Sequence, residues 1–286
     1  MSAQILSGRD VAAVVRAEVA EQVAALNGRG KTVGLATVLV GDDPASHVYV
    51  RNKHRAAEKA GMISIDVNLP ADVSQEEVIA AVHTLNGDDR VDGMIVQLPL
   101  PSGLDGNAAV EAVLPAKDAD GLHPYNLGLL ILDRPGPRPA TPSGVLRILE
   151  HYGITTSGKR AVVIGRSFLV GRPMAIMLGS KGVDATVVQA HSRTPDLGAV
   201  TLEADIIVVA AGRPDLLRRE HVKPGAIVID VGTNRVDGKL VGDVDFEGVS
   251  SVAGGITPVP GGVGPMTIAS LLVNTVQAAQ RTATLD

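Results

Sequence analysis

The chain has 286 residues, a formal net charge of -5, no Cys or Trp, two Phe and three Tyr. This excludes disulfides, Cys-ligated zinc and a thiol nucleophile, and it argues against a nucleic-acid binder, which needs basic charge and stacking aromatics. Arg9 and Asp10 interrupt any apolar signal core, and no apolar run approaches the ~20 residues of a membrane span, so the chain reads as a soluble, cytoplasmic protein long enough for two domains.

Ser7 caps an expected helix from about Arg9 to Leu26, where Val11, Val14, Val15, Val19 and Val23 recur at helical spacing. Val33 to Val40 reads as a buried strand. Gly41-Asp42-Asp43-Pro44 turns the chain into a second helix, which Gly61 closes. On that helix Tyr49 and Lys53 are four residues apart and share a face, so a phenol and an amine stand one turn from each other. Ile63 to Leu69 is the next strand. Ser74 and Glu77 form a capping box for a helix to about Leu85, and Asp92 to Leu98 is a third strand. Alternating strands and helices predict a parallel sheet, whose chemistry gathers at the carboxyl ends of the strands. Gln97 lies at such an end, with the Lys53 ammonium as its candidate partner. A short helix from about Asn107 to Leu114 leads to Lys117-Asp118-Ala119-Asp120-Gly121. There a carboxylate is available for the paired N–H donors of a heterocycle. The Pro-dense stretch Asp133 to Pro142 reads as a hinge, and a helix follows from Ser143.

The second half opens with a strand from Ala161 to Ile164, a turn Gly165-Arg166-Ser167 to Gly171, and a helix to about Lys181. Strand, glycine turn and helix N-terminus together hold pyrophosphate on backbone N–H groups. The spacing G-x-S-x-x-x-G departs from the usual dinucleotide fingerprint. The strand Ala185 to Gln189 ends in His191-Ser192-Arg193-Thr194. A hydroxyl and a guanidinium stand where a carboxylate would read the ribose of NAD, which points to NADP. Asp205 to Val209 and Ala226 to Val231 are further strands, and Asp237-Gly238 marks a hairpin. The loop Thr257 to Thr267 is too rich in Gly and Pro to be regular, and it opens into a last helix. Gly153 to Arg160 imitates a P-loop but precedes its strand and lacks the Ser/Thr that would hold magnesium.

In this order, four segments resemble the bifunctional methylenetetrahydrofolate dehydrogenase/cyclohydrolase family: Val40 to Met62, Asp92 to Pro101, Pro115 to Leu122 and Thr257 to Thr267. The resemblance covers nearly the whole chain. It implies an α/β fold of two domains with the active site in the cleft between them. One is an N-terminal parallel-sheet folate and catalytic domain (1–140 with 267–286). The other is a Rossmann-like NADP domain (141–266). It implies a homodimer acting on tetrahydrofolate derivatives, with no nucleic acid, membrane or metal partner. Residue by residue, Lys53 looks like the catalytic lysine, Gln97 like its hydrogen-bond partner, Tyr49 like the tyrosine against the folate ring and Asp120 like the pterin-binding carboxylate. Pro260, Gly261 and Gly262 would line the folate side. Gly165, Arg166, Ser167, Ser192, Arg193 and Thr233 would hold NADP. Ala140 replaces a frequent Cys of the family, and Thr233 a frequent Ile. The expected activity is oxidation of 5,10-methylenetetrahydrofolate, then hydrolysis of the methenyl product with Lys53 moving the protons. The alternatives are a shikimate-type NADP dehydrogenase and a non-catalytic NADP or folate sensor.

Overall fold

The computed structural model describes residues 2–283. The chain forms two compact units, Ala13–Ala140 with Ile268–Asp286, and Met1–Ala12 with Thr141–Thr267. In this division the first dozen residues group with Thr141–Thr267. The reason is a strand of two residues, β1 (Gln4–Ile5), which pairs in parallel with Gly255 and Ile256. Two residues carry no periodicity to read. Helix α1 (Gly8–Asn27) follows, with Ser7 Oγ accepting the Asp10 N–H at 3.3 Å as the predicted cap.

The unit built on Ala13–Ala140 contains β2 (Gly34–Val40), α2 (Pro44–Lys59), β3 (Ile63–Leu69), α3 (Gln75–Asn86), β4 (Gly93–Val96), α4 (Gly106–Glu111) and α5 (Pro124–Ile131). Its strands run parallel in the order β3-β2-β4. All of β2 is buried, as a central strand covered on both faces must be. The register sets Thr37 between Asp66 and Ile95. Ala36, Val38, Met94 and Val96 point to one face and pack against Val78, Val82 and Leu85 of α3. At roughly 1.5–3 kcal/mol for each large apolar side chain buried, this face is a principal source of the unit's stability. The other face carries Leu35, Thr37 and Ile95. Gly93 leaves space there for Thr275, whose Oγ1 a Cβ would meet at 2.4 Å. Helix α3 has the predicted capping box, with Ser74 Oγ accepting from Glu77 N at 3.3 Å and Glu77 Oε2 from Ser74 N at 2.9 Å.

The other unit contains α6 (Ala140–His151), β5 (Arg160–Ile164), α7 (Gly171–Gly179), β6 (Thr186–Ala190), α8 (Leu197–Thr201), β7 (Ile206–Val209), β8 (Ile227–Asp230), β9 (Asn234–Val236), β10 (Lys239–Val241), α9 (Phe246–Ser250) and β11 (Gly255–Ile256). Its sheet is parallel throughout, in the order β1-β11-β8-β7-β5-β6. Val162, Ile164, Ile207, Val209, Val228 and Ile256 form its core. The expected hairpin is β9 and β10, turned by Asp237 (φ 49°) and Gly238 (φ 75°). Helix α6 starts at Ala140, earlier than the expected Ser143. Pro142 falls in its first turn, where a missing N–H breaks no helical bond. The last helix, α10 (Val263–Ala283), is continuous across the division between the units at Thr267. Among the described residues no helix is long and apolar enough to cross a membrane.

Candidate active site

Helix α2 is fixed at both ends by its own sequence. Asp43 caps it by accepting the Ser46 N–H at 2.8 Å, and Pro44 takes the first helical position. At the other end Gly61 adopts φ 82°, Gly61 N–H donates to Glu58 O and Met62 N–H to Ala57 O. This double bond pattern ends a helix on a left-handed residue, as the Gly predicted. Among the described side chains the buried positions are Ser46, Val50, Lys53, His54, Ala57 and Ala60, a stripe at helical spacing that includes a lysine. Lys53 is 7% exposed, and its Nζ donates to Gln97 Oε1 at 3.1 Å. The Gln97 amide nitrogen in turn donates to Leu98 O at 2.7 Å, which fixes which end of the amide faces Lys53. Tyr49 stands one turn back at 41% exposure, an aromatic face open for a ligand. The structure therefore brings Lys53 and Gln97 into direct contact, with Tyr49 on the same helix.

The loop after β4 separates two carboxylates that look alike in the sequence. Asp118 is buried and accepts three bonds, from Gly121 N at 2.9 Å, His123 N at 2.8 Å and Asn126 Nδ2 at 2.8 Å. Lys117 is engaged too, donating from Nζ to Asp88 O at 2.9 Å. Ala119 N–H bonds Met94 O at 3.1 Å, so the loop extends the sheet beside β4 and delivers Asp120 near the carboxyl ends of the strands. Gly121 is required there: its φ is 71°, and a Cβ would meet the Arg138 carbonyl at 2.3 Å. Asn274 of α10 clamps the same segment by donating to Ala119 O and Arg138 O, both at 2.8 Å. Burial raises the Asp120 carboxyl above its ordinary value, the Lys53 charge opposes that rise, and Asp118 adds to it. Asp120 is the carboxyl of this loop that the loop's own hydrogen bonds do not consume.

In the other unit, Gly165 has φ 128°, and a Cβ on it would meet Ala210 O at 2.2 Å. A Cβ on Gly171 would meet Gly165 O at 2.4 Å. Both glycines are thus dictated by the close approach of the turn to β7 and α7. Ser167 Oγ accepts Val170 N at 3.2 Å and Gly171 N at 3.3 Å, so it shapes the turn before α7. Arg166, Ser192, Arg193 and Thr233 are exposed. The turn after β6 is held by Thr194 Oγ1 accepting from His191 N at 2.9 Å and by His191 Nδ1 accepting from Arg193 N at 3.2 Å. No carboxylate occupies residues 191–194, and Asp184 (φ 57°) precedes β6. Glycine turn, helix start and an exposed guanidinium fit a dinucleotide with an extra phosphate. Pro260 is exposed, and Gly261 (φ 105°) accepts the Arg9 N–H on its carbonyl at 2.9 Å. A Cβ on Gly262 would meet Pro258 O at 2.5 Å.

The sequence reading missed two buried carboxylates beneath the loops after β7 and β8. Asp243 accepts from Ala211 N, Gly212 N and Arg213 N at 2.7–2.9 Å, and from Asn234 Nδ2 at 2.8 Å. Asp230 accepts from Gly232 N, Asp243 N and Val244 N at 2.9–3.0 Å. Burial is the main cause that pushes Asp230 up to about 6, with the neighbouring Asp243 charge adding to it and the three N–H bonds opposing it. In the sequence the only signal was an Asp ending each of two short apolar runs.

Two family models match the chain. "Tetrahydrofolate dehydrogenase/cyclohydrolase, catalytic domain" covers residues 6–120, and the NAD(P)-binding domain of the same name covers 139–283. A protein of Paracidovorax citrulli named bifunctional protein FolD is 55% identical over 99% of this chain and all of its own. The crystal structure of the bifunctional enzyme FolD of Campylobacter jejuni is 47% identical, with a TM-score of 0.95 over 98% of this chain and 100% of that one. The FolD structure of Trypanosoma brucei, described as complexed with NADP cofactor and inhibitor, is 42% identical, with a TM-score of 0.94 over 99% of each chain. These matches do not favour the shikimate-type or sensor alternatives. By extent and identity alike, the chain belongs to the tetrahydrofolate dehydrogenase/cyclohydrolase family.

Proposed function

We propose that this chain oxidises 5,10-methylenetetrahydrofolate to 5,10-methenyltetrahydrofolate with NADP, and then hydrolyses the methenyl compound to 10-formyltetrahydrofolate. The observation that carries this reading is the buried Lys53 donating to Gln97 at 3.1 Å, on a helix that presents Tyr49 one turn away. NADP, when bound, accepts the hydride lost from the methylene carbon. Gly165, Arg166 and Ser167 would hold its pyrophosphate, Ser192 and Arg193 would take its 2′-phosphate, and Thr233 would complete the nucleotide contacts. Tyr49 stacks on the folate ring system, Asp120 accepts its paired N–H donors, and Pro260 to Gly262 line the substrate. The first step asks these residues for position more than for acid–base work.

The second step needs a group that takes a proton from the attacking water and returns one as the ring opens. Lys53 does both, and Gln97 holds its rotamer so that Nζ stays aimed at the methenyl carbon. The protein works in the cytoplasm, as a homodimer. A Lys53→Met variant is expected to lose about 10²–10⁴-fold in methenyl hydrolysis, the usual worth of a positioned proton-transfer group. Its hydride transfer should fall far less. Separate assays with the methylene and methenyl substrates measure the two steps, and normal hydrolysis by this variant would remove Lys53 from the mechanism.

A further inference from the structure

The residue after Lys53 is also buried and also reaches the sheet. His54 is 8% exposed, and its Nδ1 lies 2.6 Å from Asp66 Oδ2 on β3. Its other nitrogen, Nε2, is buried without a hydrogen-bond partner among the described residues. Asp66 is therefore the polar contact that orients the ring. Asp66 is opposite Thr37 in the register, and Ile95 is opposite Thr37 on the other side. Gln97, two residues beyond Ile95, shares its face. The strand order is β3-β2-β4, so Lys53 reaches across to the β4 side while His54 reaches to the β3 side. Two consecutive residues thus tie α2 down on opposite flanks of β2.

The rest of the buried stripe offers little resistance to rolling. Apart from Val50 it consists, among the described side chains, of Ser46, Ala57 and Ala60, small side chains that interlock weakly with a sheet. Side-chain tips lie about 6 Å from a helix axis, so a roll of about 10° moves Nζ by about 1 Å. A displacement of that size in a catalytic group costs on the order of 10²-fold in rate.

We infer that His54, anchored by Asp66, is a positioning residue that sets the roll of α2 and thereby the aim of Lys53. This inference rests on the reading of Lys53 as the proton-transfer group. The contact lies on the side of the helix away from Gln97, so its loss changes proton transfer at Lys53 without removing any group that touches substrate.

The test uses the enzyme with His54→Leu, Asp66→Ala, the double variant, the conservative His54→Gln and Lys53→Met. Asp66 has a half-exposed side chain, so Asp66→Ala removes the acceptor without opening a sealed cavity. The expected result is a loss of about tenfold in kcat for methenyl hydrolysis in His54→Leu and in Asp66→Ala, with KM changed by less than about twofold. The double variant should lose no more than either single one, because both break the same contact. His54→Gln, which keeps a donor toward Asp66, should recover most of the rate. Hydride transfer should fall less than hydrolysis in every variant. The inference is overturned if hydrolysis stays within about twofold of wild type in both single variants, if the two losses multiply, or if both activities fall together with the melting temperature. Normal hydrolysis in Lys53→Met would instead sink the reading of Lys53, and this inference with it. An inactive Lys53→Met beside fully active His54→Leu and Asp66→Ala would sink this inference alone.

Discussion

Two carboxyls raised by burial serve opposite ends, and pH separates them. In the proposed reading Asp120 must be ionised to accept a pair of N–H donors, and burial raises its proton affinity while the Lys53 charge restrains that rise. Acidification should therefore weaken folate binding at a higher pH than an ordinary aspartate would allow. The expected outcome is a KM for the methylene substrate that rises as pH falls in the wild type, and a KM in Asp120→Asn that is high and flat. A wild-type KM without pH dependence would take Asp120 out of the substrate contact. Asp230 touches no ligand in this reading, and its effect falls on stability. A rise from 3.8 to about 6 makes the ionised form unfavourable in the folded state. Its contribution is complete below the unfolded value, near 3.9, and is lost as pH climbs through about 6. The whole shift is worth about 3 kcal/mol, roughly half of it between pH 5 and pH 8. Replacing Asp230 by Asn should thus cost about 1.5 kcal/mol more at pH 5 than at pH 8 in denaturant unfolding. A cost that grew toward pH 8 would contradict this.

At the scale of elements, what could be read from the sequence was what repeats or punctuates. β2 is a run of seven buried residues, and such a run between two turns has few alternatives. The caps of α2 and α3 came from Asp-Pro, Gly61 and the Ser74/Glu77 pair, all local chemistry. The same logic could not find β1 and β11, two residues each: β1 pairs only with β11, and β11 is held between β1 and β8. It also missed α5, whose Pro124 start and internal Gly128 resemble a loop. Nor could local chemistry choose between Asp118 and Asp120, a choice made only by the family resemblance, because it depends on Gly121, His123 and Asn126 folding back onto one carboxylate. Gly121 tests how much that loop matters. An Ala there combines a left-handed φ of 71° with a Cβ 2.3 Å from a carbonyl. It should cost roughly 2–4 kcal/mol and raise the folate KM. Gly153→Ala, at φ 64° with nothing within 4 Å of its Cβ, is the control and should cost only about 1–2 kcal/mol. Equal losses in unfolding experiments would mean that the collision with Arg138 is relieved without moving the Asp120 loop.

For the molecule as a whole, the charge balance makes nucleotide choice a contest between a general and a local field. A net charge of -5 opposes any polyanion, and NADP carries one more phosphate than NAD. Preference for NADP must therefore come from groups close enough to outweigh the overall field. In the proposed reading the turn after β6 supplies them as an exposed hydroxyl and guanidinium at Ser192 and Arg193, with no carboxylate among residues 191–194. Binding to the folded state alone stabilises it by about 2.7 kcal/mol at a ligand concentration one hundred times Kd, which for a chain of this size corresponds to a melting shift of about 5 °C or more. NADP should reach that shift at a concentration where NAD gives little. Arg193→Glu should erase the difference by lowering the NADP shift and leaving the NAD shift intact. Added salt should act in the same direction, weakening NADP more than NAD, because the Arg193–phosphate attraction lies at an exposed site. Equal shifts for the two nucleotides in the wild type, or an undiminished NADP shift in Arg193→Glu, would show that the 2′-phosphate is read by other residues or not at all.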